Sequence, residues 1–231
     1  MGRVDTVTTL AALADRTRAL VAGSRAGAGG ESVGRVVVGI TGAPGAGKTT
    51  VVERLLAVLR ETQAPGIPDG SWAAHVPMDG FHLADVQLDR LGLRDRKGAP
   101  ETFDAQGYAA LLGRLRAGGP DTVYAPGFER TLEQPIAAAI SVEPSARLVL
   151  TEGNYLLLQQ GPWTRVRELL TEVWFVDVPD ALRVERLVAR HVEFGKSVDE
   201  ARAWVARSDE ANARVVAATR ALADVVVELA D

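Results

Sequence analysis

Hydrophobic and polar positions along this chain fall into two recurring patterns: short all-apolar runs, and longer stretches with an apolar residue every three or four positions. The first pattern marks strands buried on both faces, and the second marks helices with one buried face. Val36–Ile40, Arg147–Thr151, Val173–Val178 and Asp224–Leu229 read as strands, with a further short one near Trp72–Met78. Helical spacing covers Thr49–Leu59, Trp163–Leu170, Asp180–His191 and Val198–Thr219. Ser197 and Glu200 have the spacing of a capping box at the start of the last of these.

Near the N-terminus, Val7, Leu10, Leu13 or Ala14, and Leu20 or Val21 predict a helix over residues 5–22, followed by a flexible run from Gly23 to Gly30. Together, residues 1–30 are expected to form an N-terminal helix and linker. A turn-rich stretch holds Pro65, Gly66, Pro68 and Gly70. Residues 80–131 lack a sustained period. They contain one helix from about Asp104 to Arg116, with Tyr108, Leu111, Leu112 and Leu115 on one face, and a brief strand near Asp121–Ala125. This segment is expected to be an insertion over the active site.

Strands alternating with helices predict an α/β fold, a parallel sheet with helices on both faces, in one domain over residues 1–231. Ligands of such sheets bind beyond the carboxyl ends of the strands. A hydrophobic content of 47% is ample for one core of this size.

The loop between the first buried strand and its helix carries the chemistry. Gly42-Ala43-Pro44-Gly45-Ala46-Gly47-Lys48-Thr49, followed by Thr50, matches the G-x-x-x-x-G-K-[ST] phosphate-binding loop in the strand-loop-helix setting it requires. Glycines let backbone N–H groups turn toward phosphate oxygens, and the helix N-terminus points its positive end at the same anion. Lys48 is one of only three lysines among 26 Lys and Arg residues. It is expected to reach the β- and γ-phosphates of ATP, while the Thr49 hydroxyl ligates Mg²⁺.

A formal charge of −4 argues against a nucleic-acid backbone or anionic membrane as partner. With no cysteine, and with His75, His82 and His191 well separated, disulfides, thiolate chemistry and a structural zinc site are not expected. The N-terminus lacks the apolar core of a signal peptide and nowhere do eighteen apolar residues run together, so a cytoplasmic protein is expected. A homodimer is a default expectation from the frequency of such symmetry.

Three further groups could act at the strand ends. Asp79, in Met78-Asp79-Gly80-Phe81-His82, directly follows the second strand and could accept a proton from a hydroxyl attacking phosphorus; an Asp-Gly turn with a solvated charge is the alternative. Glu152 ends its strand where a Walker B acid would stand, and could hold Mg²⁺ directly or through water. Arg183, Arg186 and Arg190 share one helix, with His191 and Lys196 just beyond. A lid over residues 186–197, with Arg186 and Arg190 neutralising transferred charge, fits this spacing, whereas a solvated helix face explains Arg183 equally well.

These segments together resemble the P-loop small-molecule kinases that include uridine kinase, phosphoribulokinase and the bacterial type of pantothenate kinase. The resemblance is carried by Met78 to His82, by Leu88 and Arg90 to Leu93, by Arg96-Lys97-Gly98-Ala99-Pro100-Glu101-Thr102-Phe103-Asp104, and by Thr151 to Leu157. It spans about residues 35–230 and implies the P-loop NTPase fold with an acceptor-side insertion and a lid. By that resemblance Asp79 acts on the substrate hydroxyl, Glu152 helps bind metal or acceptor, Arg186 and Arg190 grip phosphate, and Lys97 lies on the acceptor side. His82 and Asn154, within the matching segments, are expected acceptor contacts too.

Pantothenate kinases carry a Tyr-x-His arrangement after the insertion helix, where this chain reads Tyr124-Ala125-Pro126-Gly127-Phe128-Glu129-Arg130-Thr131. That stretch looks more like nucleoside and nucleotide kinase relatives, including proteins labelled as sugar-transport kinases, and implies that Tyr124, Phe128, Glu129 and Arg130 face the acceptor. The expected activity is Mg-ATP-dependent phosphoryl transfer to a hydroxyl of a small polar metabolite such as a nucleoside, sugar or pantothenate-like compound. The competing expectations are a nucleotide-operated switch or assembly ATPase and a catalytically idle nucleotide-binding module. The chain lacks an Asn-Lys-x-Asp guanine-reading sequence.

Overall fold

The computed structural model describes residues 5–25, 34–61 and 72–229. The Pro- and Gly-rich stretch at 65–70 and most of the expected linker lie outside these residues. Six parallel strands form one sheet in the order β1-β8-β7-β2-β6-β3, built from Asp5–Val7 (β1), Val36–Thr41 (β2), Ala73–His75 (β3), Leu148–Glu152 (β6), Glu172–Val176 (β7) and Val225–Val227 (β8). A separate antiparallel hairpin joins Val123–Glu129 (β4) to Gln134–Val142 (β5).

Alternation along the strands divides the core in two. Val36, Val38 and Ile40 of β2, Leu148 and Leu150 of β6, and Trp174 and Val176 of β7 face one helical layer. Val37, Val149, Val173 and Phe175 face the other. The first layer is made by Leu10–Arg25 (α1) and Lys48–Glu61 (α2), the second by Ala105–Ala117 (α4) and Thr164–Glu168 (α5). A strand with apolar partners on both faces needs no polar positions, which is why these runs are continuously hydrophobic.

Several elements differ from the sequence reading. The N-terminal helix starts at Leu10 rather than residue 5, because Asp5–Val7 pairs in parallel with Val225–Val227, and Thr9 caps the helix by accepting from the Ala12 amide. Between Met78–Phe81, a tight 3₁₀ turn, and α4 lies a short helix, Asp85–Leu91 (α3), that the period did not reveal. The brief strand near 121–125 is the start of the hairpin, which runs past residue 131 to Val142. Asp180–Glu193 (α6) matches expectation closely. The last long helix is interrupted: Val198–Trp204 (α7) passes through a π turn, Val205–Asp209, into Glu210–Ala217 (α8). Its start has the expected capping box, with Ser197 and Glu200 each bonding the other's backbone amide.

Candidate active site

The phosphate loop links the central strand β2 to α2. Gly45 adopts φ 80°, and a Cβ there would lie 2.6 Å from the Arg183 carbonyl oxygen and 2.8 Å from Leu187 Cγ. The loop therefore rests directly on α6, and a side chain at this position would drive the two apart. Arg183 completes the support. Its guanidinium is 2% exposed, donates to the Pro44 carbonyl at 3.4 Å, and pairs with Glu210 at 2.6 Å and Asp180 at 3.0 Å. Neither a lid residue nor part of a solvated face, Arg183 underpins the loop from below. Ala43 and Ala46 face that same lower side.

Lys48 is buried, and its ammonium donates to the carbonyls of Gly42 (3.0 Å) and Ala43 (3.2 Å) and to Asn154 Oδ1 (2.7 Å). Burial pushes it down to about 8, against the pull of Glu152 and Asp79, so it stays largely protonated at pH 7. The pairing of β2 with β6 sets Glu152 opposite Ile40, at the level where β2 enters the loop. From there Glu152 Oε1 accepts a hydrogen bond from Thr49 Oγ1 at 3.1 Å. Burial, and then the nearby Asp79 carboxylate, push Glu152 up to about 7, while Lys48 and Thr49 oppose the shift. Among the described residues no group of three or more His, Asp or Glu side chains could enclose a metal. One carboxylate beside one hydroxyl suits a hard cation such as Mg²⁺, which keeps several waters and takes further oxygens from phosphate.

Asp79 sits in the turn after β3. That turn is held by Thr151, whose hydroxyl donates to the Val76 carbonyl at 2.6 Å and meets the Tyr108 hydroxyl at 2.6 Å. Its other face presses on the hairpin: a Cβ on Gly80 would lie 2.2 Å from the Pro126 carbonyl oxygen, so only glycine admits this approach. Burial opposes ionisation of Asp79, but the positive charges around it, of His82 when protonated and of Arg130, Lys48 and Arg190, outweigh it and hold the carboxyl below the usual range. Burial also drives His82 down to about 4, leaving it neutral at pH 7. The contact partner is instead Arg130, whose Nη2 donates to Asp79 Oδ2 at 2.8 Å.

One cavity of about 570 Å³ takes in both halves of this arrangement. The loop residues Pro44, Gly45, Gly47, Lys48, Thr49 and Thr50 line one end, with Glu152 and Asn154 beside them. Asp79, His82, Lys97, Phe128 and Arg130 line the other. Arg186 and Arg190 overhang the loop from α6; Arg186 Nη1 would lie 3.5 Å from a Cβ on Gly47. His82 packs between the rings of Phe103 (centroids 3.9 Å apart) and Phe128 (5.0 Å).

Two residues expected at the acceptor lie elsewhere. Tyr124 is 59% exposed and absent from the cavity wall, because alternation along β4 turns it away from the buried Val123 and Ala125. Glu129, also turned out, folds back to accept from the Thr131 amide and hydroxyl. Conversely, sequence reasoning missed Asp85, Arg94, Asp209 and Asn212, all in the wall. Asp85 joins Lys97 at 2.8 Å and Arg94 at 2.9 Å. Asp209 meets His191 of α6 at 2.9 Å, and Asn212 donates to the Gly98 carbonyl at 3.2 Å. No motif marks these positions, and the π turn that ends at Asp209, just before α8 and Asn212, has no signal in helical period.

Comparison with known proteins agrees with this geometry. Residues 37–230 match the family model described as "Phosphoribulokinase / Uridine kinase family". A protein of Schizosaccharomyces pombe provisionally named a uridine kinase is 31% identical over 200 residues, covering 84% of this chain and 83% of its own. An "ATP-dependent kinase-like protein" of Aspergillus versicolor is 39% identical over 134 residues, covering 54% of this chain and 77% of its own. Among solved structures, one from Silicibacter sp. TM1040, provisionally called a fructose transport system kinase, superimposes with TM-score 0.79 at 37% identity, over 95% of this chain and 99% of that one. With residues 37–230 matching the family model and a relative 31% identical over 84% of the chain, the chain belongs to the phosphoribulokinase/uridine kinase family of P-loop kinases.

Proposed function

We propose that this protein transfers the γ-phosphoryl group of Mg-ATP to a hydroxyl of a small polar metabolite. The observation that carries this reading is the shared cavity. The anion-binding loop and the carboxylate of Asp79 open into the same 570 Å³ space, whose far wall combines aromatic rings with polar side chains.

In this reading the backbone amides from Gly45 to Thr49 and the Lys48 ammonium bind the polyphosphate. Thr49 and Glu152 would hold the metal, which would supply positive charge against the phosphate oxygens. Asp79 receives the proton of the acceptor hydroxyl as its oxygen bonds to the γ-phosphorus and ADP departs with the electrons of the broken bond. Arg186 and Arg190 neutralise charge on the transferred group, while His82, Phe128, Lys97 and Arg130 orient the acceptor and Asn154, expected there too, instead holds the Lys48 ammonium beside the loop. Positioning and preorganised charge do most of the work.

The test is a screen of nucleosides, sugars and carboxylated or phosphorylated hydroxy compounds for stimulated ADP release with Mg-ATP. An acceptor that raises turnover above the water background supports the reading. Uniform background rates, with nucleotide bound, would favour a nucleotide-operated switch instead.

A further inference from the structure

Arg130 stands in an unexpected place for a residue that simply touches substrate. It follows the end of β4, which packs against the Asp79 turn, and meets the one carboxylate assigned to proton transfer, pairing Nη2 with Asp79 Oδ2 at 2.8 Å across 51 residues of sequence. The arginine side chain remains 45% exposed and that of Asp79 26% exposed, so the pair lies on the cavity wall rather than sealed in the core. Half-exposed pairs of this kind are weakly held and readily exchanged. The guanidinium also lies over the Phe128 ring, 5.2 Å from its centroid, a contact that would steady it if it swung off Asp79.

A carboxylate with one oxygen committed to a guanidinium is a poorer proton acceptor than a free one, because the pairing stabilises its charged form. A base that must take a proton is thus held in its least basic arrangement by a half-exposed cation. A second cation-rich spot adjoins it. Arg94 and Lys97 share the single carboxylate of Asp85, and Lys97 spends a further donor on the Glu133 backbone carbonyl. Lys97 lies 5.6 Å from the centroid of the Phe128 ring that also carries Arg130. An oxyanion entering beside Phe128 would meet Lys97 and Arg130 together.

We infer that Arg130 is a latch on Asp79, released when the carboxylate or phosphate ester of an anionic hydroxy-compound draws the guanidinium away, so that binding of the correct acceptor frees the base. This rests on the phosphotransferase reading and names the acceptor class for it. It also explains how a kinase with water in its cavity avoids wasting ATP. In the wasteful reaction, water oxygen bonds to the γ-phosphorus, the bond to the bridging oxygen breaks with its electrons leaving on ADP, and the water proton passes to Asp79. With Asp79 latched, that proton has no good acceptor.

The experiment measures ATP hydrolysis without acceptor in the wild type, R130Q, D79N and the double variant. R130Q is expected to hydrolyse about tenfold faster than wild type, a fraction of a full general-base effect, and the double variant to fall back to the D79N rate. Acetate or methyl phosphate, each compared with sodium chloride at matched ionic strength, should stimulate the wild type several-fold and leave R130Q unchanged. Whichever anion acts identifies the acceptor's acid group. Independently of turnover, the ¹³C carboxyl resonance of Asp79 should move in R130Q and, on adding the active anion, in the wild type. Hydrolysis that is unchanged or slower in R130Q with ATP binding intact, or a wild type indifferent to both anions, would overturn the latch. R130K, which keeps charge without the forked geometry, serves if R130Q does not fold and should show an intermediate rate. Failure of the phosphotransferase reading looks different: no hydroxyl acceptor would then raise ADP release above the water background in wild type or in R130Q, whatever the anions do.

Discussion

Thr49 and Glu152, 103 residues apart in sequence, meet in a 3.1 Å hydrogen bond at the ends of neighbouring elements, where α2 begins and β6 stops. Parallel pairing of β2 with β6 fixes this meeting, since it sets Glu152 beside Ile40 just before the loop. The bond joins the two oxygens that the proposed function gives to the divalent cation.

Glu152→Gln should therefore raise the Mg²⁺ concentration for half-maximal turnover by about 10- to 100-fold, the usual cost of losing a metal-orienting carboxylate. Binding of ATP measured in the presence of EDTA should change little, because the loop amides and Lys48 are untouched. A titration of activity against Mg²⁺, paired with equilibrium nucleotide binding, separates the two.

Replacing Arg183 with methionine removes the cation while keeping much of its bulk. Glu210, whose side chain is 30% exposed, then loses its closest partner and the Pro44 carbonyl loses a donor. Breaking a fully buried pair costs roughly 3–5 kcal/mol, and the partial exposure here lowers the expectation to about 2–3 kcal/mol. Urea unfolding should report that loss, together with weaker nucleotide binding as the loop loses its support.

Burial pushes both His75 and His82 down to about 4, so in the native protein they stay neutral well below the usual histidine range near 6.5. Between those two values the unfolded chain binds more protons than the folded one. The histidine contribution is therefore complete above about pH 6.5 and falls as pH drops toward 4, by about 1.4 kcal/mol per pH unit for each histidine. Glu152, held up to about 7, titrates in the opposite sense and offsets about one histidine's share between its ordinary value and 7. Unfolding free energies at pH 7 and pH 5 should show the net decline of about one histidine's worth, and His75→Gln should remove about half of the histidine contribution and leave the slope near zero.

Much of this architecture was legible from period alone. Val36–Ile40 and Leu148–Leu150 are apolar throughout because helices cover both faces, and the loop between β2 and α2 has a local sequence that dictates its conformation. What escaped depends on distant partners. Asp5–Val7 is a strand only because β8 offers it a free edge, and Gln134–Val142 is a strand because β4 folds back upon it. Helical spacing placed Arg183 on α6 but could not say that the loop rests on that face. Alternation along β4 turns Tyr124 outward, and this became visible only once the hairpin's buried side was known. Asp85, Asp209 and Asn212 have no neighbours in sequence that mark them; only folding brings them to the cavity.

The most direct measurement compares Asp79→Asn with wild type, using an acceptor from the screen to obtain kcat and an equilibrium method to obtain the dissociation constant for Mg-ATP. The expected result is a fall in kcat of at least ~100-fold, the size of a general-base contribution, with nucleotide affinity within about threefold of wild type. Unchanged turnover, or an equal loss of ATP affinity, would contradict the assignment of Asp79 as the group that receives the acceptor's proton.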